Sequence, residues 1–311
     1  MAVENGIDLS INLNGFNIKS PIMTASGTYG YAMEYARFLE VPRLGAIVTK
    51  AISVEPREGN QWRRLFEVNQ GLINSVGLEN MGIKSFITYI LPMLKANKID
   101  FALNLAGSTK EEYLELAKLA EDNEINCIEL NLSCPNVKVG CLEFGTDENT
   151  LRELVSEVRN IFSKNIIVKL TPNVTSIEKI AVAAEKAGVN AISAINTVKG
   201  LGLKLNFKNG NFHKEEVQGG LSGPCIKPIA LGAVKRIKSV VNIPVIGIGG
   251  IYSLEDIFEF FSVGASAVQI GTANFTHPTI AEDLTNELKE FMKNNGFSSI
   301  VELQKALMEA K

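Results

Sequence analysis

Short apolar segments alternate with amphipathic segments along almost the whole chain, and this alternation constrains the fold more than any other feature. Within these segments nearly every residue is apolar, without an alternation of apolar and polar residues. This pattern is typical of parallel strands that are covered on both faces. We predict eight such strands: PIMTAS from Pro21, GAIVTKA from Gly45, DFALNLA from Asp100, CIELNLS from Cys127, NIIVKLT from Asn165, AISAINT from Ala191, PVIGIGG from Pro244 and AVQIGTA from Ala267.

The segments between these strands have the apolar spacing of three and four residues that predicts helices. Examples are KEEYLELAKLAEDNE, DENTLRELVSEVRNIF, SIEKIAVAAEKAG and SLEDIFEFFSVGA, and several begin with Ser, Thr or Asp and end at Gly. Strands and helices that alternate eight times in 311 residues predict an α/β protein with one domain, a (β/α)8 TIM barrel over residues 1–311. A doubly wound open sheet is the alternative.

Three connections are longer than the usual length of about two to six residues. They follow the second, fourth and sixth predicted strands, at Ile52–Gly71, Cys134–Thr146 and Val198–Pro224. All three leave the C-terminal ends of strands, where barrel enzymes build their active sites. We therefore expect these long loops to contribute to function.

Composition excludes several classes of protein. The 31 basic and 34 acidic residues leave a net charge of −3 without a basic stripe, so we expect no nucleic-acid partner. No apolar run approaches the ~20 residues of a membrane span, and the N-terminus lacks the pattern of a signal peptide. The four cysteines form no CxxC pair, which favours a reducing, cytoplasmic location and gives no zinc or cluster pattern.

Polar residues follow or end most of the predicted strands. They are Lys50, Asn104, Asn131, Lys169 and the pair Asn196–Thr197. Each alone is commonly a solvated lysine or a turn-forming asparagine. In a closed barrel, however, all of these positions converge on one mouth, and two lysines with three amides there predict a pocket for an anionic ligand that forms hydrogen bonds.

Glycines end the last two predicted strands, as a pair in GIGG at Gly249–Gly250 and singly in IGTA at Gly271. Glycine lets backbone N–H groups approach a phosphate closely, and the loops after strands seven and eight are a recurrent phosphate site in barrels. Ordinary turn chemistry is the alternative. The segment GGLSG, residues 219–223, similarly permits close backbone contact with a flat ligand.

Cys134 lies beyond the end of a strand, in a polar loop before Pro135, where a thiol can act as a general base. Cys127, within the same strand, has the pattern of a core residue. The chain has only two histidines, His213 and His277, so a Ser-His-Asp triad is not expected.

A set of motifs resembles the class 1 dihydroorotate dehydrogenases in order and spacing, from about residue 7 to about residue 296. Within that class the chain is most similar to the NAD-linked 1B catalytic subunit. The motifs are TASGTYGYAMEYARFLEVPRLGAIVTKAIS, NSVGLENMG, LNLAGST, ELNLSCPNVK, VKLTPNV, INTVKGL, GGLSGPCIKP, GIGGI and IGTA.

The resemblance implies an FMN-containing barrel that oxidises (S)-dihydroorotate to orotate in pyrimidine synthesis, with Cys134 as catalytic base and Lys50 stabilising developing charge. It implies FMN contacts from Ser26, Lys50, Ala51, Asn104, Asn131, Lys169, Ile195, Gly223, Gly249, Gly250, Gly271 and Thr272. It implies substrate contacts from Lys50, Asn74, Ser75, Val76, Gly77, Leu78, Asn131, Asn196 and Thr197.

The resemblance also implies a partner, an electron-transfer subunit with FAD and a [2Fe–2S] cluster that reduces NAD+, around a homodimeric core of a heterotetramer. Cys225, and Cys141 in the loop after Cys134, depart from the family pattern. Three alternatives stay open: a fumarate-linked class 1A enzyme, a dihydropyrimidine dehydrogenase-like activity, and a non-redox lyase or isomerase that binds a substrate phosphate.

Overall fold

The structure, a computed structural model, describes residues 6–35, 44–132 and 144–310. Its strands, in chain order, are β1 (Ile11–Leu13), β2 (Phe16–Ile18), β3 (Ile22–Thr24), β4 (Ile47–Val48), β5 (Leu65–Val68), β6 (Gly71–Asn74), β7 (Phe101–Leu105), β8 (Cys127–Asn131), β9 (Asn165–Leu170), β10 (Ala191–Ala194), β11 (Val198–Lys208), β12 (Asn211–Ser222), β13 (Val245–Ile248) and β14 (Ala267–Ile270).

Five of the α-helices begin at a residue whose side chain caps the first turn. The side chains of Thr109, Asp147, Ser176, Ser253 and Ser299 each accept a hydrogen bond from the backbone N–H three residues on. The helices are α1 (Gly82–Ser85), α2 (Leu91–Ala96), α3 (Lys110–Asp122), α4 (Glu148–Ile161), α5 (Ile177–Lys186), α6 (Lys227–Lys238), α7 (Leu254–Ser262), α8 (Ala273–Thr276), α9 (Ile280–Asn294) and α10 (Ile300–Met308).

Eight parallel strands close into a barrel in the order β3, β4, β7, β8, β9, β10, β13, β14 and back to β3. These are the eight strands predicted from the sequence, so the barrel is confirmed and the open sheet is wrong. Every residue of β8 and of β10 is buried, because the barrel interior covers one face and helices cover the other. Paired residues of neighbouring strands point to the same face, so the register identifies which side chains enter the interior.

Two of the three predicted long connections contain strands of their own. The connections after the second and sixth barrel strands form an antiparallel sheet in the order β11, β12, β6, β5. β11 and β12 form a long hairpin that turns at Asn209–Gly210, where both residues have positive φ, 51° and 77°. The Asn-Gly pair between alternating segments is a strong hairpin signal that our sequence-based prediction did not use.

The connection after the fourth barrel strand, Cys134–Thr146, lies mostly outside the described residues. Over the described ranges, no helix is both long enough and apolar enough to cross a membrane.

Candidate active site

The C-terminal ends of the barrel strands bring most of the predicted site residues to one mouth. Ser26 follows β3, Lys50 and Ala51 follow β4, and Asn131 ends β8. Lys169 is the penultimate residue of β9. The remaining members follow β10, β13 and β14: Ile195, Asn196, Thr197, Gly249, Gly250, Gly271 and Thr272.

Lys169 is the buried cation of this mouth, with 4% of its surface exposed. Its Nζ donates a hydrogen bond to Ser26 Oγ at 3.2 Å, and the register places it beside Asn131. Burial lowers the pKa of the Lys169 ammonium below its ordinary value, and the negative charge of Glu129 opposes that shift. An ammonium so little solvated interacts strongly with any electron-rich group that enters the mouth.

Two carboxamides predicted to share the site are in contact. Asn196 Nδ2 donates to Asn131 Oδ1 at 3.2 Å, and Asn196 Oδ1 accepts from the backbone N–H of Thr197 at 2.8 Å. Tyr113 Oη donates to the backbone carbonyl of Asn131 at 2.6 Å and so fixes the end of β8. Since a carboxamide carries both donors and acceptors, this pair can recognise an imide edge.

The predicted substrate segment, residues 74–78, reaches the mouth from the antiparallel sheet. Asn74 Nδ2 donates to the backbone carbonyl of Gly220 at 3.0 Å, and a Cβ on Gly220 would lie 2.1 Å from Thr197 Oγ1. Immediately after the segment, Glu79 Oε1 lies 3.8 Å from Lys50 Nζ. The sheet that the sequence did not predict therefore joins this segment to the barrel.

Within that segment, Gly77 and Leu78 have positive φ, at 77° and 55°. Asn60 holds the turn, because its N–H donates to the carbonyl of Val76 at 2.8 Å and its Nδ2 donates to the carbonyl of Ser75 at 3.0 Å. Hydrogen bonds from Asn60, which lies outside the predicted substrate segment, to two backbone carbonyls therefore hold this segment in place.

Small residues surround the ends of β13 and β14. Gly249 and Gly250 have φ of +131° and +75°, and a Cβ on Gly250 would lie 2.7 Å from Lys227 Cβ and 3.1 Å from the carbonyl oxygen of Gly223. Thr272 Oγ1 donates to Ser222 Oγ at 2.7 Å. Only glycine suits this backbone, because a positive φ strains other residues and a Cβ would meet neighbouring parts of the chain.

Asn104 differs from the rim position that the sequence suggested, because it is fully buried inside the barrel beneath the mouth. Its Nδ2 donates to Glu129 Oε1 at 2.7 Å, and Gln269 Nε2 donates to Glu129 Oε2 at 3.0 Å. Sequence reasoning missed Glu129 and Gln269. The available signal was an acidic residue and an amide in the middle of the apolar segments CIELNLS and AVQIGTA.

Cys134 and Cys141 lie outside the described residues, so the predicted role of Cys134 stays a prediction. Cys127 is fully buried, as predicted for a core residue. Burial, with a contribution from the charge of Glu129, raises the pKa of the Cys127 thiol well above its ordinary value. Burial also raises the pKa of the Cys225 thiol.

We expect Cys127 to resist alkylation in the native protein at mildly alkaline pH, because the thiolate is the reactive form and burial disfavours it. Mass mapping after iodoacetamide treatment, in buffer and in urea, measures this. Cys127 should be labelled only on unfolding. Labelling of Cys127 in buffer at the rate of an exposed thiol would contradict its buried position.

A protein-family model described as dihydroorotate dehydrogenase matches residues 8–292. The chain is 44% identical to dihydroorotate dehydrogenase B (NAD(+)), catalytic subunit, of Geotalea uraniireducens over 302 residues, which cover 97% of this chain and 98% of the relative. The proteins of the same name from Parabacteroides distasonis and Caldicellulosiruptor saccharolyticus are also 44% identical, and each match covers 96% of this chain and 98% of the relative.

Proposed function

The chain belongs to the dihydroorotate dehydrogenase family, and on this premise we propose that it is the FMN-containing catalytic subunit of an NAD+-linked dihydroorotate dehydrogenase. It oxidises (S)-dihydroorotate to orotate in pyrimidine biosynthesis. The observation that carries the proposal is the barrel mouth, where the buried Lys169 lies near the hydrogen-bonded carboxamides of Asn131 and Asn196. The 44% identity to catalytic subunits of this name, over nearly the full length of the chain, supports the same function.

The residues at the mouth fit FMN. Asn104 Oδ1 and Gln269 Oε1 are buried acceptors without a hydrogen-bond partner among the described residues, and a flavin offers N–H and hydroxyl donors. Lys169 supplies a buried positive charge, which suits the electron-rich pyrimidine edge of a flavin. Gly249 and Gly250, with φ of +131° and +75°, form the kind of glycine turn whose backbone N–H groups can approach a phosphate.

We therefore assign FMN binding to the positions that the motifs indicate, with Lys169 at the pyrimidine edge and with Gly249, Gly250 and Gly271 at the phosphate. When bound, FMN supplies the acceptor for the substrate's hydride. Cys134 removes the proton from the neighbouring ring carbon. Lys50 stabilises the negative charge that develops. The carboxamides of Asn74, Asn131 and Asn196 orient the planar anionic substrate through its donor and acceptor edges.

We further propose that a separate electron-transfer subunit carries FAD and a [2Fe–2S] cluster and reduces NAD+. The name of the relatives, the catalytic subunit of an NAD+-linked enzyme, supports a partner of this kind. A homodimer of this chain would form the core of a heterotetramer in the cytoplasm.

The purified chain, titrated anaerobically with dihydroorotate, tests the proposal. The visible spectrum should show oxidised flavin at the start and lose that absorption as orotate forms. A colourless protein that does not take up FMN, or a flavin that dihydroorotate does not reduce, would refute it. Turnover with fumarate by the isolated chain would favour the class 1A alternative over NAD+, and reduction of the flavin by dihydrouracil alone would favour the dihydropyrimidine dehydrogenase alternative.

Replacing Lys50 with alanine should lower kcat/KM for dihydroorotate by roughly 10–100-fold, because a hydrogen bond to a charged group contributes about 1.5–3 kcal/mol. Steady-state kinetics measure the effect, and both kcat and KM should worsen. Lys19 is a matched control, since it pairs with Asp100 at 3.0 Å just before β7, at the opposite end of the barrel. If Lys50→Ala behaves like Lys19→Ala, then Lys50 is merely a solvated lysine.

A further inference from the structure

Glu129 has no exposed surface, and side chains from three other barrel strands enclose its carboxylate. Asn104 Nδ2 of β7 donates to Oε1 at 2.7 Å, and Ser193 Oγ of β10 donates to Oε2 at 2.7 Å. Gln269 Nε2 of β14 donates to Oε2 at 3.0 Å. The carboxylate therefore joins four strands across the interior of the barrel.

This arrangement determines how two carboxamides are oriented. An ionised carboxylate only accepts hydrogen bonds, so Asn104 and Gln269 must each turn their NH2 group towards Glu129. Their oxygen atoms then point away from it. Asn104 Oδ1 and Gln269 Oε1 have no partner among the described residues, although both atoms are buried. A buried acceptor without a donor costs free energy, so this orientation calls for a donor from a ligand.

The network lies directly beneath the polar mouth. Asn104 is the register partner of Glu129, and Asn131, two residues further along β8, is the register partner of Lys169. Residues two apart on a strand share a face, so the side chains of Glu129 and Asn131 enter the same interior. The carboxamide of Asn104 therefore lies level with Glu129, one inward-facing layer below Asn131 and Lys169 at the mouth.

We propose that Glu129 is a positioning residue for the flavin, which holds Asn104 Oδ1 and Gln269 Oε1 as acceptors for flavin N–H or ribityl hydroxyl donors. This inference depends on the proposed function, because the ligand class is the FMN of that function. Glu129 touches neither flavin nor substrate. It acts through the two carboxamides.

Glu129→Gln tests the proposal, since a glutamine at position 129 presents an NH2 group to side chains that are themselves donors. One or both carboxamides then lose their fixed orientation. The dissociation constant of FMN, measured by flavin fluorescence on reconstituted apoprotein, should rise about 10–100-fold. The melting temperature of the apoprotein, measured in parallel, separates this effect from loss of the fold.

A double-mutant cycle on FMN affinity isolates the orienting role. Asn104→Leu alone should weaken FMN binding about tenfold, but should add no more than about twofold to Glu129→Gln, because the oriented acceptor is already lost. Glu129→Asp keeps the charge and shortens the side chain, so it should also weaken FMN binding. If Glu129→Gln does not fold, Glu129→Asp tests the proposal in its place.

Thr285→Val is the control for a purely structural effect. Thr285 Oγ1 donates to the carbonyl of Ala281 within α9, so the substitution removes a buried hydrogen bond away from the site. It should change the melting temperature and leave the FMN dissociation constant unchanged.

The proposal is overturned if wild type binds FMN and Glu129→Gln or Glu129→Asp binds it equally tightly, or if the cycle is additive. Wild-type protein that binds no FMN would instead refute the proposed function.

Discussion

Cys134→Ser is expected to slow the reduction of bound flavin by dihydroorotate about 10²–10⁴-fold, the usual contribution of a general base. A serine hydroxyl accepts a proton far less readily than a thiolate at neutral pH, while its similar size leaves the surroundings of the substrate unchanged. Anaerobic stopped-flow absorption of the flavin under single-turnover conditions measures the step directly. FMN content and the dissociation constant of orotate should stay close to wild type, because only proton transfer is impaired.

Cys225→Ser is the matched control. Cys225 is half-buried, and its Sγ lies 3.8 Å from the carbonyl oxygen of Ser222, an acceptor that a serine hydroxyl can also use. Its flavin reduction rate should match wild type. An unchanged rate in Cys134→Ser at neutral pH would remove Cys134 from the role of base and require another proton acceptor at the mouth.

The barrel could be predicted because parallel strands buried on both faces leave nearly continuous apolar segments. β8 is an example, since all five residues from Cys127 to Asn131 are buried. The caps of α3, α4, α5 and α7 were equally readable, because a Ser, Thr or Asp side chain there satisfies a free backbone N–H of the first turn.

The polar network inside the barrel could not be predicted, because it depends on contacts between strands that are far apart in the chain. Glu129 meets Gln269, 140 residues later, only after the barrel closes. In a strand of unknown register, an acidic residue among apolar neighbours is as consistent with an exposed position as with a buried one. For the same reason, the sequence suggested a rim position for Asn104, whereas the structure places it beneath the rim.

Contacts between loops were also beyond the sequence. The segment at residues 74–78 lies far along the chain from Gly220, and the pairing of β6 with β12 brings them together. Lys50 was predicted to face a ligand, and in the structure Glu79 also lies 3.8 Å from it, while Arg64 pairs with the same carboxylate. Neither Glu79 nor Arg64 was among the predicted site residues, because the contacts of Glu79 with Lys50 and Arg64 form only in the folded chain.

Lys169→Met is expected to raise the free energy of unfolding of the apoprotein at neutral pH, because burial lowers the pKa of the Lys169 ammonium and the charge of Glu129 opposes that shift only in part. Urea unfolding of apoprotein measures this, since bound FMN would add its own stabilisation. The pKa of Lys169 is lowered in the folded protein, so between that pKa and the ordinary 10.5 the unfolded chain binds more protons. The titration of Lys169 should therefore make the free energy of unfolding of the wild type rise with pH across this interval. This contribution should be absent in Lys169→Met.

In a Glu129→Gln background the gain from Lys169→Met should be larger, because the attraction between the two charges is then already absent. Lys110→Met is the surface control. Lys110 pairs with Glu153 at 3.0 Å and with Glu157 at 2.8 Å, but solvent screens exposed pairs, so its unfolding midpoint should shift little. If Lys169→Met shifts the midpoint no more than Lys110→Met does, or shifts it to lower urea concentration, then burial of the Lys169 ammonium carries no net cost in the folded apoprotein.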